Sequence, residues 1–236
     1  MRRVFIIGVL ISTVTFTGCY YYGPCMDGVG PAVSETREIS GFTAVKNEGS
    51  FVVHVTEAEE FSVEVEAQEN LLPIIETFVS GYTLVIQKKF GTCFKSNAPV
   101  IVYVTLPQLE ALKLTGSGKV IADVADSPVF DCTNSGSGQV SIDSVFTETF
   151  TVKNSGSGKV EVLASFAEEI SLVQSGSGTI DAGTVYNSLD ASIRHSASGR
   201  IKCSILNGDR VDAIMSGSGR IDLDGDAEVA DYTLNS

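Results

Sequence analysis

Six short corners recur along the chain: Gly116-Ser117-Gly118, Gly136-Ser137-Gly138, Gly156-Ser157-Gly158, Gly176-Ser177-Gly178, Ala197-Ser198-Gly199 and Gly217-Ser218-Gly219. Successive corners lie 20, 20, 20, 21 and 20 residues apart. A coil of that length cannot bury its own apolar side, so a core exists only when neighbouring coils stack, as in a solenoid.

The columns read down such a stack have the chemistry that stacking requires. Four positions after the first small residue of each corner stand Val120, Val140, Val160, Ile180, Ile201 and Ile221, and two further on Ala122, Ile142, Val162, Ala182, Cys203 and Leu223. Four positions before it come Leu112, Cys132, Val152, Leu172, Ile193 and Ala213. These columns are expected to face inward. Lys119, Gln139, Lys159, Thr179, Arg200 and Arg220 alternate with them, followed by Ile121, Ser141, Glu161, Asp181, Lys202 and Asp222. That is the period of two of a strand with one wet side.

The corners are expected to use positive φ, which glycine supplies without steric cost. Asn134, Asn154, Gln174 and His195 precede them, and amides repeating at about 4.8 Å are expected to hydrogen-bond along the stack as a structural ladder. Phe146, Phe166 and Tyr186 share a phase on the far side of each coil and are expected to form an internal aromatic stack.

Residues 34–114 lack the Gly-Ser-Gly corner but contain the short strand signals of residues 51–55, 61–65, 82–86 and 100–104. Only residues 70–78 have room for a helical turn or two. This segment is expected to be an irregular β-layer capping the first coil, because a bare solenoid end offers a sticky strand edge. Residues 231–236 enter a further coil at the right phase.

The N-terminus carries an address. Arg2 and Arg3 precede the apolar run of residues 4–11, and small residues lead to Phe16-Thr17-Gly18-Cys19, the layout of a secretory signal peptide. A small residue before Cys19 resembles the bacterial lipobox, in which the cysteine is acylated, with palmitate for example, and becomes the first residue of the mature chain; Phe16 stands where Leu is usual. An ordinary signal peptide cut elsewhere is the other reading. The run is too short for a permanent membrane span. Two or more acyl chains on Cys19 would anchor the protein, since each buried methylene contributes about 0.8 kcal/mol and one chain alone is marginal. The chain thus divides into a signal peptide (1–18), a lipidated tether (19–35), a β-rich cap region (36–107) and β-helix repeats with corners (108–236). The expected location is the outer membrane, facing either the periplasm or the medium.

The formal net charge is −13, with 16 basic residues against 29 acidic ones, and loss of the leader's arginines makes it more negative. Nucleic acid is therefore excluded as a partner.

The lipoprotein start, Ile39-Ser40-Gly41-Phe42, Asn70-Leu71-Leu72-Pro73, residues 102–107 and the repeated Ser-Gly-Ser-Gly together resemble the auto-transporter adhesin head GIN-domain family over about residues 36–236. The resemblance implies an all-β, right-handed parallel β-helix with a β-rich N-terminal part. Its name implies an adhesin-like role at the level of the family and carries little chemical information.

Four cysteines besides Cys19 would enter an oxidising compartment. Cys132 and Cys203 fall in inward columns about three coils apart, roughly 14 Å, beyond the ~7 Å reach of a disulfide, so both are expected as buried free thiols. Cys25 and Cys93 are the pair free to meet, and bridged and unbridged forms are equally open. No cysteine spacing suggests zinc, and no cofactor is expected. His54 and His195 lack the partners a catalytic base needs. Asp222, Asp224 and Asp226 raise a calcium solenoid, but the nonapeptide calcium coil repeats at about 18 residues and places its Asp where this chain has Val or Ile.

The expected function is a non-catalytic cell-envelope lipoprotein whose solenoid is a binding or scaffolding surface. Its partners would be the membrane through the lipid and an envelope glycan, a protein or another copy. The candidate surface is the stripe of Lys159, Arg200 and Arg220 beside Asp181 and Asp222. A polysaccharide lyase or hydrolase using those charges is the alternative; against it stand coils of near-constant length, without loops to wall a cleft, and the absence of Trp.

Overall fold

The computed structural model describes residues 25–234. The repeats form a parallel β-solenoid. Lys119–Asp126 pairs in parallel with Gln139–Asn154, which pairs with Lys159–Gln174, and the series continues through Thr179–Tyr186, Arg200–Met215 and Arg220–Leu234. On another side, Ala111–Leu114 stacks on Val129–Asn134 and so through Asp190–His195.

The inward columns are sealed except in the last coil, where Ile221 and Leu223 are only half-buried. Val120, Val140, Val160, Ile180 and Ile201 are fully buried, as are Leu112, Cys132, Val152, Leu172 and Ile193. Burial of one such side chain contributes about 1.5–3 kcal/mol, and it exists only because coils lie above and below. Pairs of successive outward residues, 123–124 and 128–129, break the alternation within a coil. With the glycine corner they make three bends, so each coil is three-sided. An inner aromatic stack does form, from Phe130 and Phe150, with ring centroids 5.7 Å apart.

Two expectations about the corners are corrected. None of the corner glycines has positive φ. A Cβ on Gly136, Gly156 or Gly176 would instead collide with the carbonyl oxygen of the first corner glycine one coil earlier, and one on Gly138, Gly158 or Gly178 with the second. The corner backbones also hydrogen-bond from coil to coil, as from Lys159 N–H to Gly138 O at 3.0 Å. Glycine is needed for close approach rather than for dihedral freedom.

Nor do the amides bond mainly along the stack. Asn134 Nδ2 donates to Gly138 O (3.2 Å) and its Oδ1 accepts from Gly136 N–H (3.1 Å). Asn154 donates likewise to Gly158 O (3.0 Å), with one longer bond of 3.3 Å to Thr179 O of the next coil. In His195 the ring Nδ1 takes the acceptor's part, receiving Ala197 N–H at 3.2 Å. The column pins each corner to its own coil.

The 21-residue spacing is absorbed locally. Phe166 pairs with Tyr186, 20 residues on, but Glu169 pairs with Asp190, 21 residues on. The extra residue sits at this bend, where Asn187 adopts φ 56°.

The N-terminal region contributes more than a cover. Ala44–Asn47 and Val52–Glu57 pair in parallel with Ala111–Leu114 and Lys119–Asp126, forming two sides and the corner of a further coil ahead of the six. Its corner uses the same device: Asn47 Nδ2 donates to Phe51 O (2.9 Å) and Gly49 N–H to Asn47 Oδ1 (3.0 Å). Above it lie Thr83–Lys88 and Ile101–Leu106, still parallel. Antiparallel strands finish both walls, Ile75–Ser80 on one, Ser62–Gln68 and then Ala32–Arg37 on the other. A 3₁₀ helix, Glu69–Ile74, buries Leu71, Leu72 and Ile74 against this end. At the opposite end Arg220–Leu234 pairs only with Arg200–Met215 among the described residues, leaving Tyr232 and Leu234 exposed.

Candidate binding faces

The solenoid register decides which charges meet. Lys159, Thr179, Arg200 and Arg220 stand in one outward row, and Glu161, Asp181, Lys202 and Asp222 in the row two residues on. The structure therefore brings the candidate residues onto a single face, where Arg200 and Arg220 pair with Asp222, and Lys159 and Asp181 pair with Glu161 and Lys202. Lys159 Nζ lies 3.1 Å from Glu161, Lys202 Nζ 3.7 Å from Asp181, and Asp222 sits between Arg200 Nε (3.6 Å) and Arg220 Nε (4.0 Å). Exposed pairs of this kind contribute about 0–1 kcal/mol each, so little stability depends on them. Their effect is a near-neutral ladder of alternating donors and acceptors.

Beside this ladder, the corners frame two shallow hollows. One of about 530 Å³ is lined by Ser137, Ser157 and Ser177 with Gln139, Lys159 and Thr179. The other, of about 370 Å³, is lined by Ser198, Ser218, Arg200 and Arg220. Both are open and polar, a repeating floor of hydroxyls and backbone.

The residues weighed for chemistry are dispersed. His54 stacks on Tyr103 with centroids 5.4 Å apart, whereas His195 is buried at its corner. Asp224 Oδ1 accepts the adjacent Gly225 N–H and Asp226 Oδ1 accepts Asn207 N–H. Among the described residues no three His, Cys, Asp or Glu side chains stand together as a metal would require. Cys132 and Cys203 are free and buried. Burial first, and then the charges of Asp131 and Asp181 respectively, push each thiol up to about 12. Cys25 and Cys93 are joined by a disulfide, Cα atoms 4.5 Å apart, where Met26–Asp27 pairs with Phe94–Lys95. Cys19 lies outside the described residues.

Phe146, Phe166 and Tyr186 correct another expectation. They do stack, with centroids 5.0 and 4.8 Å apart and planes within 5° and 12°, but on the outside: Phe146 and Phe166 are 41% and 40% exposed. The pair of outward residues at 143–144 shifts the alternation, so that Val145 points in and Phe146 out. The signal lay in the column itself, which begins with Asp126.

Comparisons with known proteins agree with this architecture. The family described as "Putative auto-transporter adhesin, head GIN domain" matches residues 41–227. No curated protein matches the chain. Among solved structures, a putative adhesin from Bacteroides fragilis superposes with a TM-score of 0.78 at 17% identity, over 89% of this chain and 96% of that one. One from Parabacteroides merdae gives 0.75 at 19% identity, over 91% and 100%. A putative lipid binding protein from Parabacteroides distasonis gives 0.73 at 24%, over 90% and 97%. At these identities the likenesses establish the fold, and the family match over most of the chain establishes membership: this β-solenoid belongs to the auto-transporter adhesin head GIN-domain family.

Proposed function

We propose that the protein is a cell-envelope lipoprotein, held in the outer membrane through an acylated Cys19, whose solenoid binds an extended partner without turning it over. The observation that carries this reading is the ladder face: Lys159, Arg200 and Arg220 beside Asp181 and Asp222, repeating at the spacing of the strands over the hydroxyl-lined hollows. A periodic, rigid row of donors and acceptors suits a partner that is itself periodic, such as an envelope glycan or an extended polypeptide, and costs little ordering on binding. Catalysis needs convergent polar groups in a concavity that excludes water, and this face is open and its charges are already paired.

A glycan array and a lyase assay on the purified mature protein test the reading. Binding that falls roughly tenfold, about 1.4 kcal/mol, in Arg200→Ala and Arg220→Ala is the expected result. An unsaturated sugar product whose formation Arg200→Ala abolishes would replace binding with catalysis. For the anchor, Cys19→Ala is expected to release a soluble or uncleaved protein; membrane retention of a normally processed variant would overturn lipidation.

A further inference from the structure

We propose that the aromatic ribbon Phe146–Phe166–Tyr186 is a second docking surface, and that its partner is a cationic polypeptide segment carrying apolar side chains. Three observations carry this assignment.

The first is what the ribbon offers. The rings spend their faces on one another, at 5.0 and 4.8 Å, so solvent meets ring edges. A sugar needs a free ring face to stack on, and Phe166, stacked on both sides, has none. A row of edges is instead an apolar ridge against which aliphatic side chains pack. Leu206, half-buried and in register with Tyr186, extends it, and Ser144, Ala164 and Thr184, half-buried two places before each ring, make a low floor alongside. Exposed contiguous apolar surface on a soluble domain marks an interaction site.

The second is charge. Across residues 123–130, 143–150, 163–170 and 183–190, the stretches of each coil that bear the ribbon, the carboxylates include Asp126, Asp143, Glu148, Glu168, Glu169 and Asp190, and there is no Lys or Arg. None of these six carboxylates makes an ion pair among the described residues. The ladder face pairs its charges; this face leaves its carboxylates without ion pairs, and Arg210, in register beside Asp190, is engaged by Asp231 instead. Like charges spaced about 4.8 Å apart along a rigid stack sum to a negative potential that attracts cations and is screened by salt.

The third is exclusion by sign. A second copy of this chain, at −13 overall, or an anionic membrane would be repelled. A segment with basic and apolar residues in alternation satisfies ridge and rim together: an extended stretch advances about 3.3 Å per residue, so about four residues span the roughly 10 Å from Phe146 to Tyr186.

The test is fluorescence polarisation of a labelled heptapeptide alternating lysine and leucine, titrated with the purified protein at low and high salt. Saturable binding is expected, weakened about tenfold by the triple change Phe146→Ser, Phe166→Ser and Tyr186→Ser, and about as much at low salt by Glu148→Gln with Glu168→Gln. Tyr186→Phe should bind as the parent does. Thermal unfolding identifies folded variants, and the glutamate pair, lying on the surface, keeps the test decisive where the triple variant does not fold. A lysine–serine heptapeptide binding equally well would reduce the ribbon to a charge effect and overturn the assignment. No binding, binding untouched by either variant, or ribbon-dependent binding to phosphatidylglycerol vesicles would overturn it as well. Arg200→Ala, on the other face, should leave it unchanged, so this outcome and that of the ladder face are separable.

Discussion

Asn134 holds Gly136 and Gly138 at once, accepting from the N–H of the first at 3.1 Å and donating to the carbonyl of the second at 3.2 Å, with its side chain fully buried. Truncation to alanine leaves both backbone groups and a small void. Asn134→Ala is therefore expected to destabilise the fold by about 1–3 kcal/mol, and Asn154→Ala similarly, measured by denaturant unfolding. A loss below half a kcal/mol at both positions would mean that water replaces the amide.

Adjacent positions of one corner should differ sharply. A methyl on Gly156 meets the carbonyl of Gly136, and backbone cannot move aside as a side chain can. Gly156→Ala is expected to cost at least the 1–3 kcal/mol typical of overpacking. Ser157→Ala, one residue along and exposed, should be nearly neutral. Equal effects would indicate that the corner is not closely stacked.

Cys132 and Cys203 make a prediction about base. Burial raises both thiols from 9.0 to about 12, so the folded state holds protons that the unfolded chain has released. Their stabilising contribution is complete below about pH 9 and is lost as the pH rises towards 12. The slope is at most about 1.4 kcal/mol per pH unit for each thiol. The parent should lose stability relative to Cys132→Val across that window. In the native protein at pH 8 neither thiol should react with iodoacetamide, and both should react on unfolding.

Reduction of Cys25–Cys93 should lower the thermal midpoint. The bond closes a loop with a sequence separation of 68, and removal of a native disulfide of this kind costs about 2–5 kcal/mol. The double change Cys25→Ser and Cys93→Ser should reproduce the shift, and reductant should then have no further effect. Hydrogen exchange should quicken first at Met26–Asp27 and Phe94–Lys95, the strands beside the bridge.

The repeats were legible because their period and columns are carried by residue type alone: Val120, Val140 and Val160 can be aligned without any structure. The coil of residues 44–57 was not, for two physical reasons. The cap is inserted between its strands and Ala111–Leu114, which hides the period, and Phe51 stands where the other corners have glycine. Yet Val45, Val53 and Val55 keep the phase relative to Gly49 that Leu112, Val120 and Ala122 keep relative to Gly116. Asn47 is the residue that betrays it. The aromatic ribbon was misplaced for a different reason. Strand alternation was carried through the bend at 143–144, where two successive residues face out, and one slipped residue exchanges inside for outside. The charged stripe was grouped correctly by phase, but its mutual neutralisation depends on side-chain reach, which phase does not reveal.

The bridge between Cys25 and Cys93 also fixes a mechanical route. Tension applied at Cys25 can pass covalently to Cys93 and on towards Ile101–Leu106, a strand held between Val52–Glu57 and Ser62–Gln68. Residues 26–92 are then bypassed, and the cap does not unravel from its own beginning. A pull on Arg220–Leu234 meets the opposite situation, because among the described residues this strand is bonded along one edge only and can be peeled away pair by pair. Load applied at Cys25 is thus met by a covalent clamp, and load applied at Arg220–Leu234 by one row of hydrogen bonds at a time.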